Sequence, residues 1–371
     1  MTNGNNTSFS GESLRLARTF LGLSQQEVGE RLGVSRQFIH QIETESRIPS
    51  SDLIQGLCSV LLIEEKFLRT HFKSPVSVDQ VYFRKLKRTP VSLVNQTLSF
   101  GTIADRIVNI LENFVSLPPV DIPTCDVLSD EDAEIAALET RKLIGLKPDS
   151  PIKNLSRTLE KRGVIIFDFN NASSDLDALS ISRARPIIIR STQKQAGARV
   201  RFDLAHEFGH IVMHQGLNDH SDELEKQANR FAGCFLFPPS CVRREFPPLV
   251  RGYFDWNKIY HLKIRWGISV AAILSQALHA GSINAEEYSR GHRYLSKTRQ
   301  KKEERFDDKI SLERPELLRL SIQALIDSGI GAKSVIDSLG VSEEFFRRLI
   351  GTLGPDSFQM EASNVSLLWR R

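Results

Sequence analysis

The stretch "RFDLAHEFGHIVMH", residues 201–214, contains two histidines four residues apart, with a glutamate directly after the first. On a helix, His206 and His210 project from the same face, about one turn apart. Their ring nitrogens can therefore both approach one zinc ion at roughly 2.1 Å. Glu207 lies close enough to accept a proton from a water molecule on the metal. The spacing predicts that His206 and His210 bind zinc and that Glu207 is the catalytic base.

A third ligand is expected on the next predicted helix, "DELEKQANRFAGCFL" at residues 222–236. Glu225 and Asn229 are four residues apart and share its buried side. This arrangement resembles the gluzincin metalloproteases, in which the glutamate binds zinc and the later residue hydrogen-bonds a ligating histidine. The resemblance implies Glu225 as third ligand and Asn229 as that supporting residue, with Glu223 as the alternative ligand. Three protein ligands leave a fourth position open for water, as in catalytic zinc sites.

His214 extends the row of histidines by another four residues. Because eight helical residues span roughly 12 Å of axis, His214 cannot bind the same metal as His206. We expect it to be a capped or partly buried side chain, and a supporting role at the site is the alternative. His220, Tyr253 and His261 are candidates for stabilising the oxyanion, and the sequence does not rank them.

Three short β-branched runs precede the histidine motif: "VIIFDF" at 164–169, "ALSIS" at 178–182 and "PIIIR" at 186–190. Such runs predict strands. Helical patterns lie before and after them, so residues 126–300 are predicted to form an α+β domain. The order of helices, strands and then the histidine helix is that of the zincins.

The paired motifs, "RFDLAHEFGH" at 201–210 and "EKQANRFA" at 225–232, resemble the ImmA/IrrE family of small zincin endopeptidases. The resemblance implies a minimal gluzincin fold, with zinc on His206, His210 and Glu225 and water activated by Glu207. Some members of that family cut a partner repressor. One departure is Phe237 before the proline, where the family more often has methionine, and it affects only packing.

The first 73 residues show short helices separated by turns. In "LSQQEVGERLGVSRQFIHQIE", residues 23–43, Ser24 and Glu27 form a capping box, Gly33 ends the helix, and Ser35 caps the next one. Two helices joined by a short glycine-containing turn are typical of a helix-turn-helix. The stretch resembles the lambda-repressor-type (XRE) family, so residues 1–73 are predicted to be an all-α DNA-binding domain.

That resemblance implies a set of DNA-contacting side chains at the start of the second helix and along the third: Gln25, Gln26, Ser35, Arg36, Gln37, His40 and Gln41. The first two would contact phosphate, whereas arginine suits guanine and glutamine suits adenine in the major groove.

The charge of this domain argues against strong phosphate binding by the domain alone. Residues 1–73 hold eight Lys/Arg and eight Asp/Glu, although phosphate neutralisation normally supplies much of the affinity. The basic cluster within "FRKLKR", residues 83–88, or a homodimer that joins two half-sites would compensate. The alternatives are that the cluster decorates a solvated strand and that the domain is an interaction module without DNA binding.

Two further segments complete the predicted organisation. The connector, residues 74–125, holds a short strand and an amphipathic helix at 98–115, which either dimerises or packs on the next domain. The C-terminal region, residues 301–371, begins inside a charged run at 296–309. That run is expected to be a solvated linker. The region contains three short helical patterns. Its "LGVSEEFF", at 339–346, repeats "LGVSRQFI", at 32–39, with acids in place of Arg36 and Gln37, so we expect packing or partner binding there rather than DNA binding.

The bulk composition is ordinary for a globular protein: 371 residues, 40% hydrophobic, 25% charged and net charge +4. No run approaches the roughly 18–20 apolar residues of a membrane span. Four cysteines without a C-x-x-C pair and a polar N-terminus predict a cytoplasmic protein without disulfides.

Together, the motifs predict a transcriptional regulator that binds double-stranded operator DNA and carries a zinc endopeptidase. The expected substrate is a repressor-like protein, in trans or the chain itself, in a stress or mobile-element response. The alternative is a non-proteolytic repressor or antitoxin-like protein whose zincin domain is a sensor or dimer scaffold.

Overall fold

The computed structural model describes residues 8–83, 90–169, 178–193, 196–217, 221–301 and 303–350. The side chains of residues 82 and 83 are not included, and the basic cluster at 84–88 lies outside the described residues. Helices surround one small mixed sheet, in agreement with the predicted α+β class.

Five helices form the N-terminal domain: α1 (Gly11–Phe20), α2 (Gln25–Leu32), α3 (Arg36–Glu43), α4 (Ser51–Leu61) and α5 (Glu65–Leu68). The predicted local signals are all present. Ser24 and Glu27 form the reciprocal capping box of α2, and Gly33 ends that helix in the left-handed region at φ 68°. Ser35 caps α3 by accepting a hydrogen bond from Phe38 N. The predicted helix-turn-helix is confirmed.

A long helix, α6 (Val91–Glu112), joins this domain to the sheet. It starts seven residues before the predicted helix, because Pro90 at its N-terminal end needs no hydrogen-bond acceptor there. A Cβ on Gly101 would lie only 2.4 Å from the side chain of Ile181, so glycine allows α6 to approach the sheet closely. The helix packs against the sheet of the same molecule, and packing on the next domain was one of the two alternatives predicted for it. Phe114, expected on its apolar face, lies beyond its end and is 36% exposed.

The sheet has the strand order β1-β3-β4-β2, formed by β1 (Val81–Phe83), β2 (Ile165–Phe169), β3 (Ala178–Ile181) and β4 (Ile187–Ser191). β3 pairs antiparallel with β1 and β4, whereas β2 and β4 are parallel. Alternate side chains face opposite sides. Leu179 and Ile181 enter a core shared with the N-terminal domain, and Ile188 enters the core of the central domain. The position between Leu179 and Ile181, Ser180, therefore faces the central domain.

The central domain begins with α7 (Asp130–Leu143) and α8 (Leu155–Glu160), and its motif-bearing helices are α9 (Gly197–Met213) and α10 (Asp222–Leu236). α9 and α10 pack side by side in opposite directions. A Cβ on Gly209 would lie 2.9 Å from the Phe231 ring. The glycine inside the "HEFGH" motif thus lets α10 come close to α9. Four more helices follow: α11 (Pro239–Glu245), α12 (Trp256–Trp266), α13 (Val270–His279) and α14 (Ala285–Lys297).

The C-terminal helices α15 (Leu317–Asp327), α16 (Lys333–Leu339) and α17 (Glu343–Ile350) pack against the N-terminal domain. The Phe345 ring lies 4.6 Å from the Phe20 ring, and Ile63 forms a β-bridge with Val341. These contacts give the C-terminal helices a packing role, while Glu343 and Glu344 remain exposed. The helical prediction for this region is confirmed within the described residues.

Residues 303–316, called here the strap, connect α14 to α15 across the central domain. Most of the charged run at 296–309 is exposed, but the expectation of a solvated linker is wrong for Glu304, and Glu313, beyond that run, is buried too. Glu304 accepts hydrogen bonds from the buried Lys263 Nζ at 2.8 Å and from Val270 N at 2.7 Å. Glu313 is buried against Arg201 of α9. These carboxylates neutralise buried cations, a requirement that the local sequence pattern does not reveal.

Among the described residues, no helix is both long enough and apolar enough to cross a membrane. All four cysteines are free, in agreement with the prediction that the chain has no disulfides.

Candidate metal centre and nucleic-acid interface

Three side chains from α9 and α10 converge on one point. The Nε2 atoms of His206 and His210 are 3.1 Å apart, and the Glu225 carboxylate oxygens lie 3.4 and 3.2 Å from them. In a tetrahedral zinc site with bonds near 2.0–2.1 Å, ligand atoms are roughly 3.3 Å apart. The cluster therefore has the donor atoms and the separations that a zinc ion needs, and Glu225 leaves it partly open to solvent.

The electrostatics of Glu225 suit a ligand. Burial opposes ionisation of this carboxyl, but its contacts with His206 and His210 outweigh the effect of burial and lower its pKa below the ordinary value. The group is charged at neutral pH, as a metal ligand must be. Glu223, the alternative ligand, pairs instead with the exposed Lys226 at 3.3 Å and does not join the cluster.

Each histidine of the cluster has a partner on its other ring nitrogen. Asn229 Oδ1 lies 3.2 Å from His206 Nδ1, the contact that the resemblance implied. His214 Nδ1 lies 2.8 Å from His210 Nδ1, and its Nε2 lies 3.0 Å from Gln227 Oε1. Burial, followed by the neighbouring His210, lowers the pKa of His214 to about 4, so its ring is neutral.

His214 is fully buried, where a capped or partly buried side chain was expected, and its ring is in direct contact with the candidate ligand His210. Gln227 was not identified from the sequence. It lies two residues after Glu225, and only the packing of α10 against the end of α9 brings it to His214.

Ser180 is a second site residue that the sequence did not reveal. From β3 its hydroxyl donates a hydrogen bond to Glu207 Oε2 at 2.8 Å, and both side chains are buried. A serine in the otherwise apolar run "ALSIS" is the only signal that could have indicated it. The bond orients the carboxylate and leaves it able to accept a proton.

A cavity of about 650 Å³ lies behind His206 and is lined by Asn229, but not by His206, Glu207, His210 or Glu225. Phe202, Asp203 and Arg230 line it from α9 and α10, and residues of α13 close the other side. Its volume lies within the roughly 300–1,000 Å³ typical of ligand sites.

Neither of the two described oxyanion candidates is brought into the cluster. Tyr253 is 74% exposed in the turn that precedes α12, and His261 is exposed on α12. His220 lies outside the described residues.

The predicted DNA-contacting side chains share one surface of α2 and α3. Two are half-buried, Gln25 and Gln41. Five are exposed: Gln26, Ser35, Arg36, Gln37 and His40. Gln25 Nε2 donates to Glu43 Oε2 at 2.6 Å, and Glu43 is paired with Arg18 of α1. This network holds the start of α2 against α3. Most of the predicted set can therefore meet a DNA groove without rearrangement of the fold.

Comparisons with known families agree with both parts. Residues 159–277 match the family model of a peptidase family described as the IrrE N-terminal-like domain, and residues 14–68 match a helix-turn-helix model. The metal cluster and Glu207 lie inside the first match, and α2 and α3 lie inside the second. No curated protein matches the chain. The two resemblances drawn from the sequence are confirmed.

Proposed function

We propose that this chain, which joins a helix-turn-helix domain to a peptidase domain of the IrrE N-terminal-like family, is a DNA-binding regulator with a zinc-dependent endopeptidase. The observation that carries the proposal is the convergence of His206, His210 and Glu225 at tetrahedral separations, with Glu207 adjacent. The donor set of two imidazoles and one carboxylate is that of open, catalytic zinc sites.

The chain's own residues supply the acid–base chemistry. A zinc ion held by the cluster would polarise the scissile carbonyl and lower the pKa of a water molecule to about 7. Glu207 Oε accepts the proton of the attacking water and delivers it to the leaving amine. Ser180 holds one carboxylate oxygen of Glu207, at 2.8 Å, and so directs the group during both transfers. Asn229 orients His206 through the ring nitrogen that faces away from the cluster.

The substrate that we propose is a DNA-bound, repressor-like protein, cleaved in trans or within another copy of the chain. A helix-turn-helix domain on the same polypeptide would raise the local concentration of the peptidase at an operator. The exposed α3 side chains Arg36, Gln37 and His40 support DNA binding, and a homodimer would supply the second half-site.

The experiment is cleavage of a co-expressed XRE-type repressor by the full chain and by its Glu207→Gln variant. We expect the variant to cleave at least 100-fold more slowly, since general base catalysis contributes about 10²–10⁴. Glu223→Gln is the matched control, because this acid lies on the adjacent helix and is paired with the exposed Lys226. A metal chelator should abolish wild-type cleavage. Cleavage by Glu207→Gln at the wild-type rate would refute the catalytic assignment.

One observation favours a second candidate, a non-proteolytic metal-sensing repressor. The N-terminal domain and α6 share a core with one face of the sheet, while Ser180 on the other face contacts Glu207. Metal binding could therefore bias DNA affinity without any cleavage. Two results together would favour this candidate over the peptidase. Operator binding would change with zinc, and no repressor encoded by a neighbouring gene would be cleaved.

A further inference from the structure

We propose that His214 and Gln227 are positioning residues that fix His210 as a metal ligand through a directed chain of hydrogen bonds. The inference rests on the proposed zinc site and assigns it two residues beyond the ligands and the base. The chain runs from Gln227 Oε1 to His214 Nε2 at 3.0 Å and from His214 Nδ1 to His210 Nδ1 at 2.8 Å. It ends at His210 Nε2, which faces His206 Nε2 and Glu225.

The direction of this chain follows from the chemistry of each atom. An amide oxygen can only accept, so His214 Nε2 carries the proton that it donates to Gln227. A neutral imidazole has one N–H, so His214 Nδ1 has a lone pair and accepts from His210 Nδ1–H. In this tautomer the lone pair of His210 lies on Nε2, the atom that faces His206 Nε2 and Glu225. Gln227 thereby selects the only tautomer of His210 that can bind a metal through Nε2.

The opposite orientation of Gln227 would have the opposite effect. If its amide NH₂ faced His214, every proton in the chain would reverse, and His210 Nε2–H would point at the cluster. A protonated Nε2 cannot coordinate. The orientation of one amide is therefore coupled to metal affinity two side chains away.

Burial protects the chain from competition by water. The relative exposures of His210, His214 and Gln227 are 1%, 0% and 2%. The backbone also holds His214, because its N–H donates to His210 O at 2.9 Å at the end of α9. Both imidazoles are thus placed by the last turn of one helix, and their direction is set by a residue of the next helix.

The two candidate ligands are supported differently. The Nδ1 atom of His206 contacts Asn229 directly, on the neighbouring helix. His210 receives a relay of two residues because Gln227 cannot reach it directly. Supporting contacts of this kind typically change metal affinity by about 10–100-fold.

The test is the zinc dissociation constant of the full chain, measured by competition with a chromophoric chelator. We expect Gln227→Met and His214→Phe each to weaken zinc binding by about 10–100-fold. Gln227→Glu keeps an acceptor in place and should stay within about threefold of wild type. This rescue distinguishes an effect on the tautomer from a general loss of packing. Gln276→Met, which removes another buried amide, is the control and should leave zinc affinity unchanged.

Two outcomes separate the inference from the proposed function. If the wild-type chain binds zinc and Gln227→Met and His214→Phe bind it equally tightly, the relay is refuted and the zinc site stands. If Gln227→Glu is weakened as much as Gln227→Met, tautomer selection is also refuted. A wild-type chain that binds no zinc refutes the proposed site together with the relay.

Discussion

Replacement of Glu313 by glutamine tests whether the strap holds the metal-binding helix in place. Glu313 Oε1 accepts a hydrogen bond from Arg201 Nη1, and its Oε2 accepts one from Ser156 N at 2.8 Å. Arg201 lies on α9, five residues before His206, and also donates to the carbonyls of Ile152 and Gly267. The glutamate is therefore the counter-charge of a guanidinium that is bonded on all sides within the protein.

The magnitude follows from burial. The side chains of Arg201 and Glu313 are 5% and 6% exposed, so the Glu313→Gln variant leaves a buried cation without its counter-charge. Breaking such a pair costs about 3–5 kcal/mol. The exposed pair of Glu343 and Arg347, with exposures of 72% and 53%, is the matched control, and Glu343→Gln should cost at most about 1 kcal/mol.

The assay is denaturant unfolding at pH 7, followed by circular dichroism, on the wild type and both single variants. A loss below about 1 kcal/mol for Glu313→Gln would refute the reasoning.

Three further predictions concern pH, the base and DNA. Burial raises the pKa of Glu160 to about 7, so the folded chain holds a proton that the unfolded chain releases above about 4.5. The stability that this group contributes is complete below pH 4.5 and is lost as pH rises towards 7, by up to about 3 kcal/mol. Glu160→Gln should flatten the dependence of the unfolding free energy on pH over this range. An unchanged pH dependence in unfolding measurements would contradict the prediction. Ser180→Ala should slow cleavage by about tenfold, or about 1.4 kcal/mol, with zinc affinity unchanged; wild-type kinetics would remove Ser180 from the mechanism. Arg36→Ala should weaken operator binding by about 1–3 kcal/mol at fixed salt in an anisotropy titration, whereas Arg15→Ala, on the exposed side of α1, should not.

The helices, turns and strands of the chain could be predicted from its sequence, because the sequence features that specify them act over short distances along the chain. The capping box at Ser24, the glycine at Gly33 and the β-branched runs of the sheet act within a few residues of themselves. The four-residue spacing of His206 and His210 places both on one helix face, whatever surrounds it. The sequence similarly indicated that Glu225 and Asn229 share one side of the following helix.

The partners across the fold depend on contacts between elements that lie far apart in the chain. Ser180 reaches Glu207 because strand alternation turns it toward α9, and Gln227 reaches His214 because Gly209 allows α10 to approach. Glu313 pairs with Arg201 across 112 residues of sequence, so this acid is buried although no local pattern indicates it.

The sequence by itself therefore determined the classes of the two domains and the histidine pair, because these follow from periodicity and capping, while the resemblance to the gluzincins implied Glu225. Only the tertiary structure decided which buried groups orient those side chains. A hydrogen bond between separate elements depends on where both are packed, and no local pattern records that placement. The "HEFGH" motif supplies two candidate ligands and the candidate base. The packing of α10 and β3 around the motif brings in the residues that contact them.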